Sequence, residues 1–448
     1  MMSMWLRRNS EVWLHFLLPD DIVMFLRLCR RLRSSLIGHP SRPMRSPKCL
    51  KWKSSHIVRR ILLIKCQSRW FVGFRCLLLK VRVYPRCRSC TCGNRSSSAK
   101  LRMDVDSCYL DGNADAVEFC PHHPFHHILA VATYTLEEGN PPHRSGSISL
   151  FSADANVGLE LLHRAPTTGI FDIKWNPSGD TMHPLLAQAD ADGCVSLLSL
   201  QSKSDAEDHG TALREVHTEK ISSAMCLCVD WNTSVGSISL GLSDGSASIV
   251  TVRESQLQLS QSWAAHEYEL WATTFDACRP HLLYTGADDC HFSCWDLRES
   301  PSNLVFQNSK SHKMGVCCIA QNPMNSNMLL TGSYDESLRL WDIRSTSKPV
   351  IEKSLCLGGG VWRIKHHPYI SNLVLAACMH NGFAVVRIEE VDAIVVETYR
   401  KHESLAYGAD WQRGVCLEDG SDRGSLVATC SFYDQLLRLW KPESVMVK

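Results

Sequence analysis

Beyond about residue 104 the chain alternates apolar and polar positions with a period of two. The runs are short, five to ten residues, and end at Gly, Asp or Asn. The stretch Leu329–Arg344, "LLTGSYDESLRLWDIR", is the clearest case: two alternating runs flank a polar turn at Asp335-Glu336-Ser337. Period-two alternation bounded by turn residues predicts β-strands, not helices. A two-stranded hairpin is marginal in water, so its faces need covering. The stretch recurs. "HLLYTGADDCHFSCWDLR" (281–298) lies 46 residues earlier, and in both copies an Asp precedes a Trp by six residues (Asp289 and Trp295, Asp335 and Trp341). In both, a Thr (Thr285, Thr331) sits four residues before the Asp, and a His (His266, His312) 29 before the Trp. "LVATCSFYDQLLRLW" (426–440) repeats the pattern with Asp434 and Trp440, preceded by His402. Looser copies lie near 128–152, at 184–200, at 237–252 and at 373–388. Each follows an apolar run such as "IFDIKWNP" or "VWRIKHHP", which gives seven units of four short strands.

This pattern resembles the WD40 family, whose repeats of about this length form propeller blades. The expected fold is therefore all-β, a seven-bladed WD40 β-propeller over residues 103–448. The last unit lacks an outer strand, and "DVDSCYLDG" (104–112) is placed to supply it, closing the ring. In such blades the Asp holds the His, the His holds the Thr, and the Thr takes the Trp indole N–H. His266, Thr285, Asp289 and Trp295, His312, Thr331, Asp335 and Trp341, and His402, Asp434 and Trp440 are accordingly structural. In the last set Cys430 stands where the spacing expects the Thr.

Charge separates the first hundred residues from the rest. Residues 1–102 hold 23 Lys and Arg against Glu11, Asp20 and Asp21, whereas residues 103–448 hold 25 against 43 acids. With no repeat and a net charge of +20, 1–102 reads as a basic extension without a place in the fold. It is either a disordered arm or sequence translated from ahead of the true start. Its apolar runs are too short to span a bilayer, and no secretory signal is recognisable. Cys87, Cys90 and Cys92 in "RCRSCTC" lack a second ligand pair at zinc-site spacing. The remaining cysteines lie inside apolar runs, where Cys packs as a small hydrophobe. The acidic body argues against nucleic-acid binding. "GLSDG" (241–245) fits the nucleophile-elbow pattern but sits in a strand-to-strand turn, where that chemistry has no helix to use.

Unit six breaks the repeat. "LGGGVWR" has Gly358, Gly359 and Gly360 where a His is expected, His380 replaces the Asp, and Val386 replaces the Trp. Its loop and turn, with those of the neighbouring units, carry unit-specific words: "GGVWRIK", "ACMHNGF", "SLAYGADW" and "CSFYD". Together with "WAAHEYELWATTF" and "SHKMGVCCI", in this order, they closely resemble the WD-repeat diphthine methyl esterases. The likeness spans about 115–441 and departs at His366, where that family tends to have Trp. The resemblance implies hydrolysis of diphthine methyl ester on translation elongation factor 2, giving diphthine and methanol, a step of diphthamide biosynthesis. It implies no metal and no organic cofactor, cytoplasmic residence with access to the nucleus, and other diphthamide-pathway proteins as further partners. No nucleic-acid or membrane partner is expected. From position, His380 is the expected general base, with Arg363 or the Gly359 and Gly360 N–H groups at the oxyanion. Trp362, Tyr407 and Tyr433 are the expected aromatic faces for the substrate's quaternary ammonium. The other reading of a WD propeller is a non-catalytic adaptor that scaffolds a complex.

Overall fold

The computed structural model describes residues 104–446, apart from 179–181, 203–209, 233, 299–302, 391 and 414–425. The basic extension and the Cys87, Cys90, Cys92 cluster lie outside the described residues. Among the described residues, seven four-stranded antiparallel sheets succeed one another. They are the blades of a WD40 propeller, numbered 1 to 7 by their innermost strands Asn113–Phe119, Ile170–Trp175, Cys226–Asn232, Leu270–Phe275, Val316–Asn322, Arg363–His366 and Ala406–Trp411. Blade 5 shows what covers the hairpin. Leu329 and Trp341 on one face pack with Leu282, Tyr284 and Phe292 of blade 4. Leu330, Leu338 and Leu340 on the other pack with Val361, Val374 and Val386 of blade 6. Because both faces are covered by neighbours, inner strands such as Leu282–Ala287 and Leu373–Ala377 are buried at every position, while the strand edges are paired within the sheet.

The ring closes through the start of the described chain. Asp104–Tyr109 pairs antiparallel with Leu436–Trp440, from Asp104 opposite Trp440 to Tyr109 opposite Leu436. Two carboxylates fasten this strand to both neighbouring blades. Asp104 accepts the Tyr399 hydroxyl at 2.7 Å and pairs with Lys401. Asp106 accepts the Leu159 N–H at 2.9 Å. Gly158 beside it has φ +100°, and a Cβ there would meet the Asp106 carboxylate at 2.4 Å. Only glycine fits that approach.

The hydrogen-bonded chains differ from blade to blade. In blade 4 His266 Nδ1 meets Asp289 at 2.9 Å, Thr285 lies 2.8 Å from His266 Nε2, and Trp295 donates to Thr285 at 2.8 Å. Blade 5 corrects the expectation that Asp335 holds His312 directly. The Arg339 guanidinium stands between them, donating to His312 Nδ1 at 3.0 Å and to both Asp335 oxygens at 3.0 and 2.8 Å. A donor on Nδ1 leaves the proton of neutral His312 on Nε2, aimed at Thr331 at 3.1 Å. Burial, then the Arg339 charge, pushes the His312 imidazole down to about 3.

Blade 7 corrects the expected Cys430. Thr429 takes the shared position, 2.9 Å from His402 Nε2 and accepting the Trp440 N–H at 3.2 Å. The turn carries one extra residue, so the Thr falls five positions before Asp434 instead of four. Ser431 bridges the remaining gap, 2.5 Å from both His402 Nδ1 and Asp434. Blade 6 has no such chain. Val386 pairs across from Val374, and Ala376 occupies the Thr register, so this blade is held by apolar packing.

Candidate active site at the propeller mouth

Charged residues interrupt the otherwise apolar innermost strands at alternate positions, and the fold turns them into the central channel. Arg363 of blade 6 reaches across to Asp172 of blade 2 at 2.8 Å. Below it, Lys365 pairs with Glu118 and lies 3.6 Å from Asp410, while Lys174 meets Asp230 at 3.3 Å. Burial and the Glu118 charge push the Asp410 carboxyl up to about 6 against the opposing pull of Lys365. Arg363 loses proton affinity through burial but gains more from Asp172, Asp115 and Glu118, and so stays charged. The same acids tie blades together. Asp172 accepts the Val229 N–H at 3.1 Å, Asp230 that of Phe275 at 2.9 Å, and Asp410 that of Phe119 at 2.8 Å.

A second staple runs the other way. Trp175, Trp231 and Trp411 donate their indole N–H to the carbonyls of Glu118, Lys174 and Lys365 in the preceding blade. His366 occupies this position in blade 6. It faces the Ala320 carbonyl, yet neither ring nitrogen reaches hydrogen-bond geometry with any described residue. Its burial pushes it down to about 4. His366→Trp is expected to restore the staple and stabilise the fold by about 1 kcal/mol, seen as a raised urea midpoint. A lowered midpoint would mean that the blade 5–6 seam is too narrow for an indole.

Above the Arg363–Asp172 pair the channel mouth is aromatic. Trp362 stacks on Tyr407, with centroids 4.7 Å apart and planes at 26°, and touches Trp271 at 5.3 Å and Tyr334 at 6.0 Å. Its indole N–H donates to Asp115 of blade 1 at 3.2 Å; that carboxylate is 2% exposed. Phe432 continues the series 5.2 Å from Tyr407, and Tyr433 stands edge-on to Phe432 with 56% of its surface exposed. Arg363, Trp362 and Tyr407 thus converge, whereas Tyr433 lies on the rim.

The turn of blade 6 is arranged differently from the expectation. Met379, at φ 42°, is buried among Tyr407, Phe432 and Trp362. His380, next to it, is exposed. The glycines are required by the chain itself. A Cβ on Gly359 would lie 2.2 Å from the Cys378 carbonyl, and one on Gly360 2.8 Å from Met379 Sδ. The loop therefore closes on its own turn, and the space expected for a ligand at Gly359 and Gly360 is filled by Cys378, Met379 and Asn381. Trp271, Tyr334, Asp115 and Asp172 were not anticipated. The signal for the two acids was a charge inside an apolar innermost run, as in "IFDIKWNP"; Trp271 and Tyr334 carry none.

The WD domain, G-beta repeat family matches residues 305–342. A solved structure entitled "Crystal Structure of Mitotic Checkpoint Complex" shares the fold, with a TM-score of 0.58 at 17% identity, covering 81% of this chain and 99% of that one. Diphthine methyltransferase of Mus musculus is 34% identical over 347 residues, covering 71% of each chain. The Homo sapiens protein of that name is 35% identical, over 66% of this chain and 72% of its own. The Saccharomyces cerevisiae protein is 27% identical over 70% and 92%. With the propeller and its mouth laid out, the likeness at this identity and coverage shows that the chain belongs to the diphthine methyltransferase family of WD-repeat proteins.

Proposed function

We propose that this protein acts in diphthamide biosynthesis by hydrolysing the methyl ester of diphthine methyl ester on translation elongation factor 2. Water adds to the ester carbonyl, the bond to the methoxy group breaks, and diphthine and methanol leave. The observation that carries this reading is the aromatic mouth with Asp115 behind Trp362. A quaternary ammonium cannot donate a hydrogen bond, so it is recognised by ring faces and nearby negative charge. Trp362, half-buried, supplies the face; Tyr407, expected to offer one too, is 5% exposed and backs Trp362 by stacking, while Asp115 supplies the charge. Arg363, already one residue along the strand, carries N–H groups beyond the one given to Asp172 and steadies the oxyanion. His380, solvent-exposed on the adjoining turn, serves as general base when the elongation factor covers the rim. No step in this scheme calls for an organic cofactor. No helix among the described residues is long and apolar enough to cross a membrane.

Mass spectrometry of the methyl-ester form of the factor, after incubation with the purified protein, tests the reading. Loss of one CH2 with release of methanol is expected. An unchanged mass with retained binding would assign an adaptor, and a gain of one CH2 would assign methyl transfer.

A further inference from the structure

We propose that blade 4 carries a divalent-metal site, suited to Zn2+, made by His266, Asp289 and His291. This extends the reading above and does not depend on it. The Asp289 carboxylate lies between two imidazoles, 2.9 Å from His266 Nδ1 and 3.3 Å from His291 Nδ1. All three donor atoms fall within 4.8 Å of one another. Tetrahedral zinc with ligands at about 2.0–2.1 Å holds its donor atoms about 3.3 Å apart. His291 and Asp289 already have that separation, and the His266–Asp289 pair needs to open by about 0.4 Å. The two imidazole nitrogens, within 4.8 Å of each other, are brought to the same spacing by rotation of the partly exposed His291 ring. Two imidazoles and a carboxylate suit a borderline cation such as zinc better than Mg2+ or Ca2+.

Blade 5 demonstrates that this frame accepts a cation. There the Arg339 guanidinium sits between His312 Nδ1 and Asp335, and the Thr331–Trp341 bond persists at 2.8 Å. A metal on His266 Nδ1 asks for the same tautomer that His312 has, with Nε2–H donating to Thr285. Blade 4 has no arginine to fill the place. Ser293 stands opposite Thr285, as Arg339 stands opposite Thr331. The Ser293 hydroxyl is fully buried and has no partner among the described residues. In its stead blade 4 offers a second imidazole, on a side chain 27% exposed, through which an ion enters from solvent. Bound metal would join the loop before Leu270–Phe275 to the hairpin turn, five residues from Trp271 at the mouth. Sequence spacing did not reveal the site, because 23 residues separate His266 from Asp289.

The test uses the full chain, stripped with a chelator and titrated with Zn2+ and with Co2+. Wild-type protein is expected to show a zinc-dependent rise in melting temperature and cobalt absorption bands of low-symmetry N/O coordination. His291→Ala lies outside the Thr285–Trp295 chain and should fold normally. It is expected to weaken this site by about 100-fold or more, beyond the loss typical of a group that merely orients a ligand. His143→Ala, which removes an exposed imidazole on blade 1, should bind as wild type. Equal zinc affinity and stabilisation in wild type and His291→Ala would overturn the proposal, as would no stabilisation of the wild type by micromolar zinc.

Discussion

Replacing His380 by Ala is expected to slow single-turnover methanol release by roughly 10²–10⁴-fold, the usual contribution of a positioned general base. Its exposure on the turn makes the change nearly silent for folding, within about 0.5 kcal/mol. His312→Ala should do the reverse. It strips a buried partner from Arg339 and Thr331, costing about 1–3 kcal/mol without touching the mouth. Arg363 is a poorer probe of chemistry. Its removal leaves Asp172 buried without a cation, and breaking a buried pair costs about 3–5 kcal/mol, so lost turnover and lost fold would be confounded. Parallel measurement of denaturant midpoints and methanol release for His380→Ala and His312→Ala separates the roles. Normal hydrolysis by His380→Ala would sink His380 as the base while leaving the mouth as the binding site.

The repeat was legible because every blade buries short β-runs that turn residues punctuate, and because those turn residues recur at fixed offsets. The same regularity misled where a blade departed from it. One extra residue in the blade 7 turn moved the Thr role from Cys430 to Thr429. Arg339 lies within a strand run that carries no sign of its role, yet its guanidinium completes the blade 5 network. Neither change alters the hydrophobic pattern, so periodicity is blind to both. The mouth was half legible. "GGVWR" drew attention to Trp362 and Arg363, but their partners Asp115 and Asp172 come from blades 1 and 2, 247 and 191 residues away. Only ring closure brings them together. The glycines, expected to offer their N–H groups to the substrate, make their close approach elsewhere. What approaches is the chain's own turn.

Stability should fall as pH is lowered from 7 towards 5, with three buried imidazoles responsible. Burial pushes His312 down to about 3, and His366 and His402 each to about 4, from 6.5. Below pH 6.5 the unfolded chain takes up protons at these histidines while the folded chain does not. The stability they contribute is therefore complete above that pH. It is lost progressively towards their folded-state values, at up to about 1.4 kcal/mol per histidine per pH unit. Asp410 acts in the opposite sense. Its carboxyl, raised to about 6 from 3.8, protonates first in the folded state and adds stability as pH falls through 6 towards 4. Three groups against one leave a net loss of several kcal/mol between pH 6.5 and 5. Urea midpoints at pH 7, 6 and 5 measure it. His366→Trp removes one of the three titrating groups and keeps the seam filled, so its midpoint should depend less steeply on pH than that of the wild type. A wild-type midpoint that stays constant across this range would mean that these imidazoles accept protons in the folded state, and that the blade 5 and blade 7 chains do not hold them neutral.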